Sequence, residues 1–506
     1  MRIFFSFSAM LVIAAAAFAC VDWLPSGEAP YWLLAVFESL LILQLMAAWN
    51  HHYESLPLTH LVMLLAVFFL RMVFRLLGDS GVLWALRAGS AHTVDLGLIG
   101  YAGLCALHPA VYRALQGFSR GCASRAAALR IGLFVGFLAL FTLACFVFRS
   151  YHITRDGFDW IERTTQPVWH LYMREPLTIG LYRWTFLLVW ERWEITSFQV
   201  IGLMSIAAGV WWAVWMGLLI GKKWTDGFDR LLAWLLLASS GGLMVLFFAH
   251  IEVYPIFIAG LAPALYYAYR YREGESGIVP AAAWFSLAFL LHLSAAWLLA
   301  AFLLLPLLKK ERGDWKRDGL VFAGVFGLIQ SAFWAYLIVM HYGGSPARFW
   351  ARLHETFFVG PDRAMFLPQW VWLHPGHLLD LANAYLYYSI PAVLLAPIAF
   401  WRLPSRLNRE TAFWLAAAGG YFLFTFFWNP DRGYPEDWDL FSPFAPLLVL
   451  TILHLMLPGA ESSDKSNDKA DYRRSLVYLA AVGCLVFSCS QIYYHHIIPF
   501  VPPQYR

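Results

Sequence analysis

The sequence IGLFVGFLALFTLACFV at residues 131–147 is followed by YHITRDGFDWIERTTQPVWHLYMREPLTIGLYRWTFLLVWERW at residues 151–193, and then by IGLMSIAAGVWWAVWMGLLI at residues 201–220. The first and third stretches are apolar runs long enough to cross about 30 Å of hydrocarbon as helices. The middle stretch carries Asp156, Asp159, Glu162, Arg163, His170, Arg174 and Glu175. A plain connection between two membrane helices needs no such concentration of polar chemistry. It reads as a partly folded loop on the membrane surface and as the expected home of a reaction.

Working outward, the whole chain is of the same kind. It is 60% hydrophobic, 18% aromatic and 13% charged, where ordinary soluble domains are about a quarter charged. A soluble globular protein is excluded, and the class is an all-α polytopic membrane protein, because backbone in lipid must hydrogen-bond within its own segment. About fifteen spans are predicted. They fall near 3–20, 31–49, 58–77, 93–110, 131–149, 197–220, 229–250, 254–270, 277–293, 294–309, 318–341, 383–402, 411–428, 440–457 and 475–494. The pair 277–293 and 294–309 is short and meets between His292 and Ser294, as a tight hairpin or two tilted half-spans. The first segment reads as an uncleaved span rather than a signal peptide. Cys20, Cys105, Cys122, Cys145, Cys484 and Cys489 lie in or beside apolar runs without metal-type spacing, and read as buried thiols.

Lys and Arg gather in alternate loops. Arg113, Arg120, Arg125 and Arg130 come first, then Lys222, Lys223 and Arg230, then Arg270 and Arg272. Lys309, Lys310, Arg312, Lys316 and Arg317 follow, then Arg402, Arg406 and Arg409, and last Lys465, Lys469, Arg473 and Arg474. With these spans every such loop falls on one side, which the positive-inside rule makes cytoplasmic. The long polar segments 150–196, 342–382 and 428–439 fall on the other side and contain no Lys.

Four constellations on that outer side carry chemistry. RDGFDWIER sets acids at 156, 159 and 162, a spacing that shares one helix face; a carboxylate there can act as a general base or hold a divalent cation, while the plainer reading is a solvated acidic face paired with Arg155 and Arg163. Downstream, REPLTIGLYRW reads as a short amphipathic helix with Pro176 near its start. His250, Glu252 and Tyr254 in HIEVYP stand at a membrane boundary, where an ionisable group is costly unless it is paired or faces a wet cavity. WNPDRGYPEDWD at 428–439 packs Arg432, Asp437 and Asp439 into a compact turn; helix capping is the plainer role for either aspartate. Segment 342–382 holds Arg348, Arg352 and the HPGH pair His374 and His377, weak as a metal site without a third ligand. It reads better as a loop covering substrate.

This layout resembles the GT-C superfamily of membrane glycosyltransferases, in which a long first outer loop carries an acid soon after its first span and is completed by juxtamembrane helices. Here 131–149 corresponds to that span, Asp156 to the acid and REPLTIGLYRW to the juxtamembrane element. HIEVYP is similar to the His-x-x-x-Tyr/Phe-Pro segments of some lipid-linked mannosyltransferases. The resemblance covers roughly 131–494. It leaves 1–130 as extra N-terminal helices, 131–457 as the catalytic core, 458–474 as a cytoplasmic linker and 475–506 as a last span with an outer tail. The RDG-x-D pattern departs from the commoner adjacent acidic pair, so the base is either Asp156 or Asp159.

The resemblance implies transfer of a hexose or pentose from a polyprenyl-phosphate donor to a glycan, lipid or protein acceptor. The site would face outward from a plasma membrane of bacterial type, among membrane lipids and with no nucleic acid. A carboxylate would deprotonate the acceptor hydroxyl as it attacks an oxocarbenium-like carbon. Arg163 and Arg174, with Arg432 behind them, would hold the departing phosphate. Glu162, Glu175, His250, Glu252, Tyr254, His292, Asp437 and Asp439 would line the substrate site; no metal ligand is assigned, although a divalent cation is compatible. The competing class is a transporter or flippase for a lipid-linked saccharide, which should place ionisable groups near mid-membrane on broken helices.

Overall fold

The computed structural model describes residues 109–125, 127–151, 153, 155–166, 174–310, 314–339, 367, 371–401, 403, 407–428, 430, 437–457 and 467–497. The spans expected at 3–20, 31–49 and 58–77, nearly all of that at 93–110, His170, Arg432 and residues 342–366 lie outside them. The described residues are helical, without a strand. In chain order they form α1 (Pro109–Ala123), α2 (Ala127–Val147), α3 (Arg155–Thr165), α4 (Pro176–Trp193), α5 (Ser197–Lys223), α6 (Gly227–Ala238), α7 (Gly241–Leu246), α8 (Tyr254–Arg272) and α9 (Ile278–Leu291). After a 3-10 turn (Leu293–Leu298) come α10 (Leu299–Leu308), α11 (Trp315–Val339), α12 (Pro375–Trp401), α13 (Arg409–Phe427), α14 (Trp438–Phe441), α15 (Phe444–Met456) and α16 (Asn467–Ile497).

Six stretches, at 127–147, 197–223, 315–339, 375–401, 438–456 and 471–496, are long and apolar enough to cross a membrane. They make this an integral membrane protein. α2 and α11 turn Leu133, Phe137, Leu140, Leu320 and Leu328 outward, as lipid-facing helices do.

Local chemistry starts and stops these helices. Thr196 accepts the backbone N–H of Gln199, whose side chain accepts that of Thr196, a reciprocal capping box at the head of α5. Asn408 caps α13 by accepting the N–H of Thr411 at 2.8 Å. α1 is a correction: it is helical where the sequence reading has a basic loop.

Two spans are broken where they were expected to be continuous. Between α6 and α7, the Ser239 and Ser240 hydroxyls return to the carbonyls of Leu235 and Leu236, offering the backbone an alternative to the next turn. Ser240 also hydrogen-bonds Ser389 at 2.7 Å. α12 in turn kinks at Ser389, because Pro391 has no N–H for the Tyr387 carbonyl; Gln491 donates to that carbonyl instead. Breaks in two helices thus meet inside the bundle.

At 277–309 the chain breaks at His292, which is extended (φ −159°, ψ 131°) between α9 and the 3-10 turn. That turn lies hard against α13. A Cβ on Gly420 would sit 2.0 Å from the Trp297 carbonyl oxygen, so only glycine permits the approach.

Helix ends sort into two sets. At one end the basic loops are stitched together. Arg120 pairs with Asp226, and Arg474 with Asp226 and Asp229; Lys222 pairs with Glu275, Lys223 and Arg272 with Glu410, and Lys309 with Asp318. These contacts join the loops that the charge distribution grouped on one side. At the opposite end stand the head of α8, the break at His292, the head of α14 and the tail of α16. A small separate core of Trp160, Ile179, Tyr182, Ile201, Ile251, Val253 and Leu337 binds α3 and α4 to this end.

Candidate active site

The segment 247–253 between α7 and α8 is the centre of that end. Three alternate carbonyls are tied to three other segments. Ser150 N–H donates to Phe248 O at 2.6 Å, the Ser205 hydroxyl to His250 O at 2.6 Å, and the Tyr182 hydroxyl to Glu252 O at 2.7 Å. The tethers hold Ala249 in the left-handed region at φ 59°, a conformation that costs a non-glycine residue about 1 kcal/mol. The Glu252 side chain is fixed as well, accepting the Trp160 indole N–H at 2.8 Å.

Two buried histidine–carboxylate pairs flank this segment. His250 Nε2 lies 3.2 Å from Asp439 Oδ2 on α14. Burial pushes the His250 pKa down to about 3, so the ring is neutral and Nε2–H donates to the carboxylate. Its Nδ1 has no hydrogen-bond partner among the described residues. In the second pair, His292 Nδ1 accepts the Ser294 N–H at 3.1 Å and meets the Ser294 hydroxyl at 2.7 Å. That network assigns the ring proton to Nε2, which faces Glu175 Oε1 at 3.2 Å. The chain continues from Ser294 to the Tyr421 hydroxyl at 2.7 Å. The second oxygen of buried Glu175 takes no hydrogen bond from the described residues.

Tyr254 stands between the pairs, its ring 5.0 Å from that of His292. Burial and the negative fields of Asp439, Glu252, Glu175 and Asp156 all bear on its hydroxyl. The four acids come from α14, the 247–253 segment, the head of α4 and α3. Under His250 lies an aromatic floor of Trp438, Tyr387 and His495, with centroids 4.8 to 5.7 Å apart. His495 bonds the Tyr387 hydroxyl at 2.7 Å, and its carbonyl accepts Tyr151 N–H at 3.0 Å. Through these bonds α16 closes the site end.

Other expected residues are placed as follows. Asp156 is half-buried, whereas Asp159 and Glu162 are exposed on the outer face of α3. The Arg163 guanidinium lies over the Trp160 ring at 5.5 Å. Arg174 is half-buried, and its carbonyl accepts Leu293 N–H at 2.8 Å. Asp437 is buried at the N-cap of α14 without a side-chain capping bond. His374 accepts the Gly376 N–H, and His377 bonds the Phe426 carbonyl. Among the described residues no group of three His, Cys, Asp or Glu has the arrangement to hold a metal. Trp160, Tyr182, Ser205, Ser294, Tyr421 and His495 were not anticipated; each joins the site through a partner far away in sequence.

No family model matches the chain, and no curated protein sequence matches it. Among solved structures it is similar to ArnT from Cupriavidus metallidurans in the apo state, with TM-score 0.50 and 12% identity over 74% of this chain and 78% of that one. ArnT from the same organism bound to undecaprenyl phosphate aligns with TM-score 0.48 and 13% identity over 74% and 78%. At such identity the likeness is one of fold. The all-helical membrane architecture expected from the sequence layout is thus shared with a solved membrane protein.

Proposed function

We propose that this protein is an integral-membrane glycosyltransferase that moves a sugar from a polyprenyl-phosphate donor to an acceptor at the non-cytoplasmic face, with Asp156 as general base. The observation that carries the reading is the gathering at one end of the bundle of Glu252, held by Trp160 of the helix that carries Asp156, with the buried His250–Asp439 and His292–Glu175 pairs. Four carboxylates beside a membrane surface suit a reaction that removes a hydroxyl proton and develops positive charge at an anomeric carbon. Asp156 is the half-buried member of the set, while Glu175, Glu252 and Asp439 are buried. That difference favours it as the group that meets a substrate. Asp159 faces away, which favours Asp156 between the two candidates. Arg163 and Arg174 flank the acids and are assigned to the departing phosphate.

Asp156→Asn should abolish transfer while leaving the melting temperature unchanged. Full activity in both Asp156→Asn and Asp159→Asn would overturn the assignment. The transporter reading draws on the broken helices at Ser240, Ser389 and His292, but the acids gather at helix ends rather than at those two serines. Purified protein that binds undecaprenyl phosphate yet releases none from any sugar-linked form would favour transport.

A further inference from the structure

α3 carries a glycine where a helix has no use for one. Gly157 follows Asp156 in the first turn, and glycine costs a helix about 1 kcal/mol relative to alanine. Its surroundings explain it. A Cβ at 157 would lie 2.8 Å from the Ile251 carbonyl oxygen and 2.9 Å from Ile153 Cγ2. Ordinary contact begins at 3.4 Å, so with any side chain here α3 would have to back away from the 247–253 segment by about 0.6 Å. One turn on, the buried Trp160 reaches the same segment and donates its indole N–H to Glu252. Gly157, Trp160 and Thr164 form the buried face of α3, and Asp156 stands at its rim.

We propose that Gly157 and Trp160 are positioning residues that set the separation and orientation of Asp156 relative to Glu252. Gly157 does so by close backbone approach, and Trp160 through its hydrogen bond. The inference rests on the reading of Asp156 and Glu252 as members of a glycosyltransferase site. It adds that the RDG-x-D-W order is a docking device: the glycine and tryptophan register Asp156 against Glu252, which comes from another segment. Tyr182 anchors the Glu252 backbone from α4, so α3 is the partner whose placement remains to be fixed.

The test uses the full chain in lipid vesicles. Undecaprenyl phosphate-linked glucose, galactose, mannose and arabinose are offered with a membrane lipid extract, and release of undecaprenyl phosphate is followed. Trp160→Phe removes the N–H and keeps an aromatic ring. It should lower kcat about ten-fold with KM within two-fold, the pattern of a group that acts in the transition state rather than in binding. In a Glu252→Ala background, which leaves the indole N–H no side-chain acceptor there, the same change should cost less than two-fold, because Trp160 acts through that carboxylate. Gly157→Ala should lower kcat by about ten- to a hundred-fold, as displacements approaching 1 Å do. A wild-type rate in Trp160→Phe, or an equal fall in both backgrounds, overturns the positioning role while the function stands. Failure of the wild-type protein to release undecaprenyl phosphate from any of the four donors overturns the function itself, and this inference with it.

Discussion

His250 and Asp439 are 189 residues apart in sequence, yet the imidazole Nε2 and a carboxylate oxygen lie 3.2 Å apart in the protein interior. The bond clamps the 247–253 segment to α14, so the two partners are separable by what each replacement leaves behind. Asp439→Ala leaves a buried imidazole N–H without an acceptor, a loss of about 1–3 kcal/mol. Asp439→Asn keeps an acceptor oxygen and should change the melting temperature little, while removing a negative charge from the proposed site and lowering transfer. Scanning fluorimetry and a transfer assay on both variants separate the roles. Equal losses of melting temperature in the two would mean that the hydrogen bond is not what Asp439 contributes.

Burial of His250 also gives the protein a signed dependence on pH. Its native pKa is pushed down to about 3, whereas in the unfolded chain it returns to about 6.5. Between those values the unfolded state binds a proton that the native state does not, so stability is full above about pH 6.5 and falls as pH falls. At pH 5 the loss from this one group is about 2 kcal/mol. The melting temperature should therefore drop between pH 7.5 and 5.0, and drop less in His250→Gln, which cannot titrate. An equally steep fall in that variant would assign the acid sensitivity to other groups.

The chain Glu175, His292, Ser294 and Tyr421 holds the helix break at His292 against α4 and α13. Tyr421→Phe removes only the terminal hydroxyl, and a cost of about 1 kcal/mol is expected. If the four groups act as one unit, Tyr421→Phe and Glu175→Gln should be non-additive by more than about 0.5 kcal/mol in the double variant. Simple addition of the two losses, measured by thermal unfolding in detergent, would show two independent contacts.

The long helices were legible because an apolar run of membrane length has one structural reading. The breaks were not. Ser239 and Ser240 sit inside a run whose hydropathy they barely lower, and their effect depends on Ser389, which hydropathy cannot pair with them. His292 stood out as the junction of two short runs, but its route past α13 depends on Gly420, unremarkable in sequence. α1 was missed because its arginines mark it as a loop to any rule that counts charge. In the site, His250, Glu252 and Tyr254 were legible as costly groups at a membrane boundary. Their pairing was hidden by distance along the chain: Trp160 and Tyr182 belong to helices whose docking onto Glu252 no local pattern announces.

At the opposite end, Glu410 is the acid on which buried cations converge. Its carboxylate meets Lys223 and lies 3.1 Å from Arg272 and 3.4 Å from His454 Nδ1. The Lys223 and Arg272 side chains are only 5% and 6% exposed, so their charges are poorly served by water. Removing one member of such a group leaves uncompensated charge in a low dielectric, which typically costs about 3–5 kcal/mol. Glu410→Ala should therefore lower the melting temperature far more than Asp439→Asn does. The contacts it breaks join α5, α8, α13 and α15 at the end away from Tyr254, so the fraction that remains folded should bind undecaprenyl phosphate with unchanged affinity. Weakened binding by that fraction, with little loss of stability, would place Glu410 in the functional machinery instead of the frame that supports it.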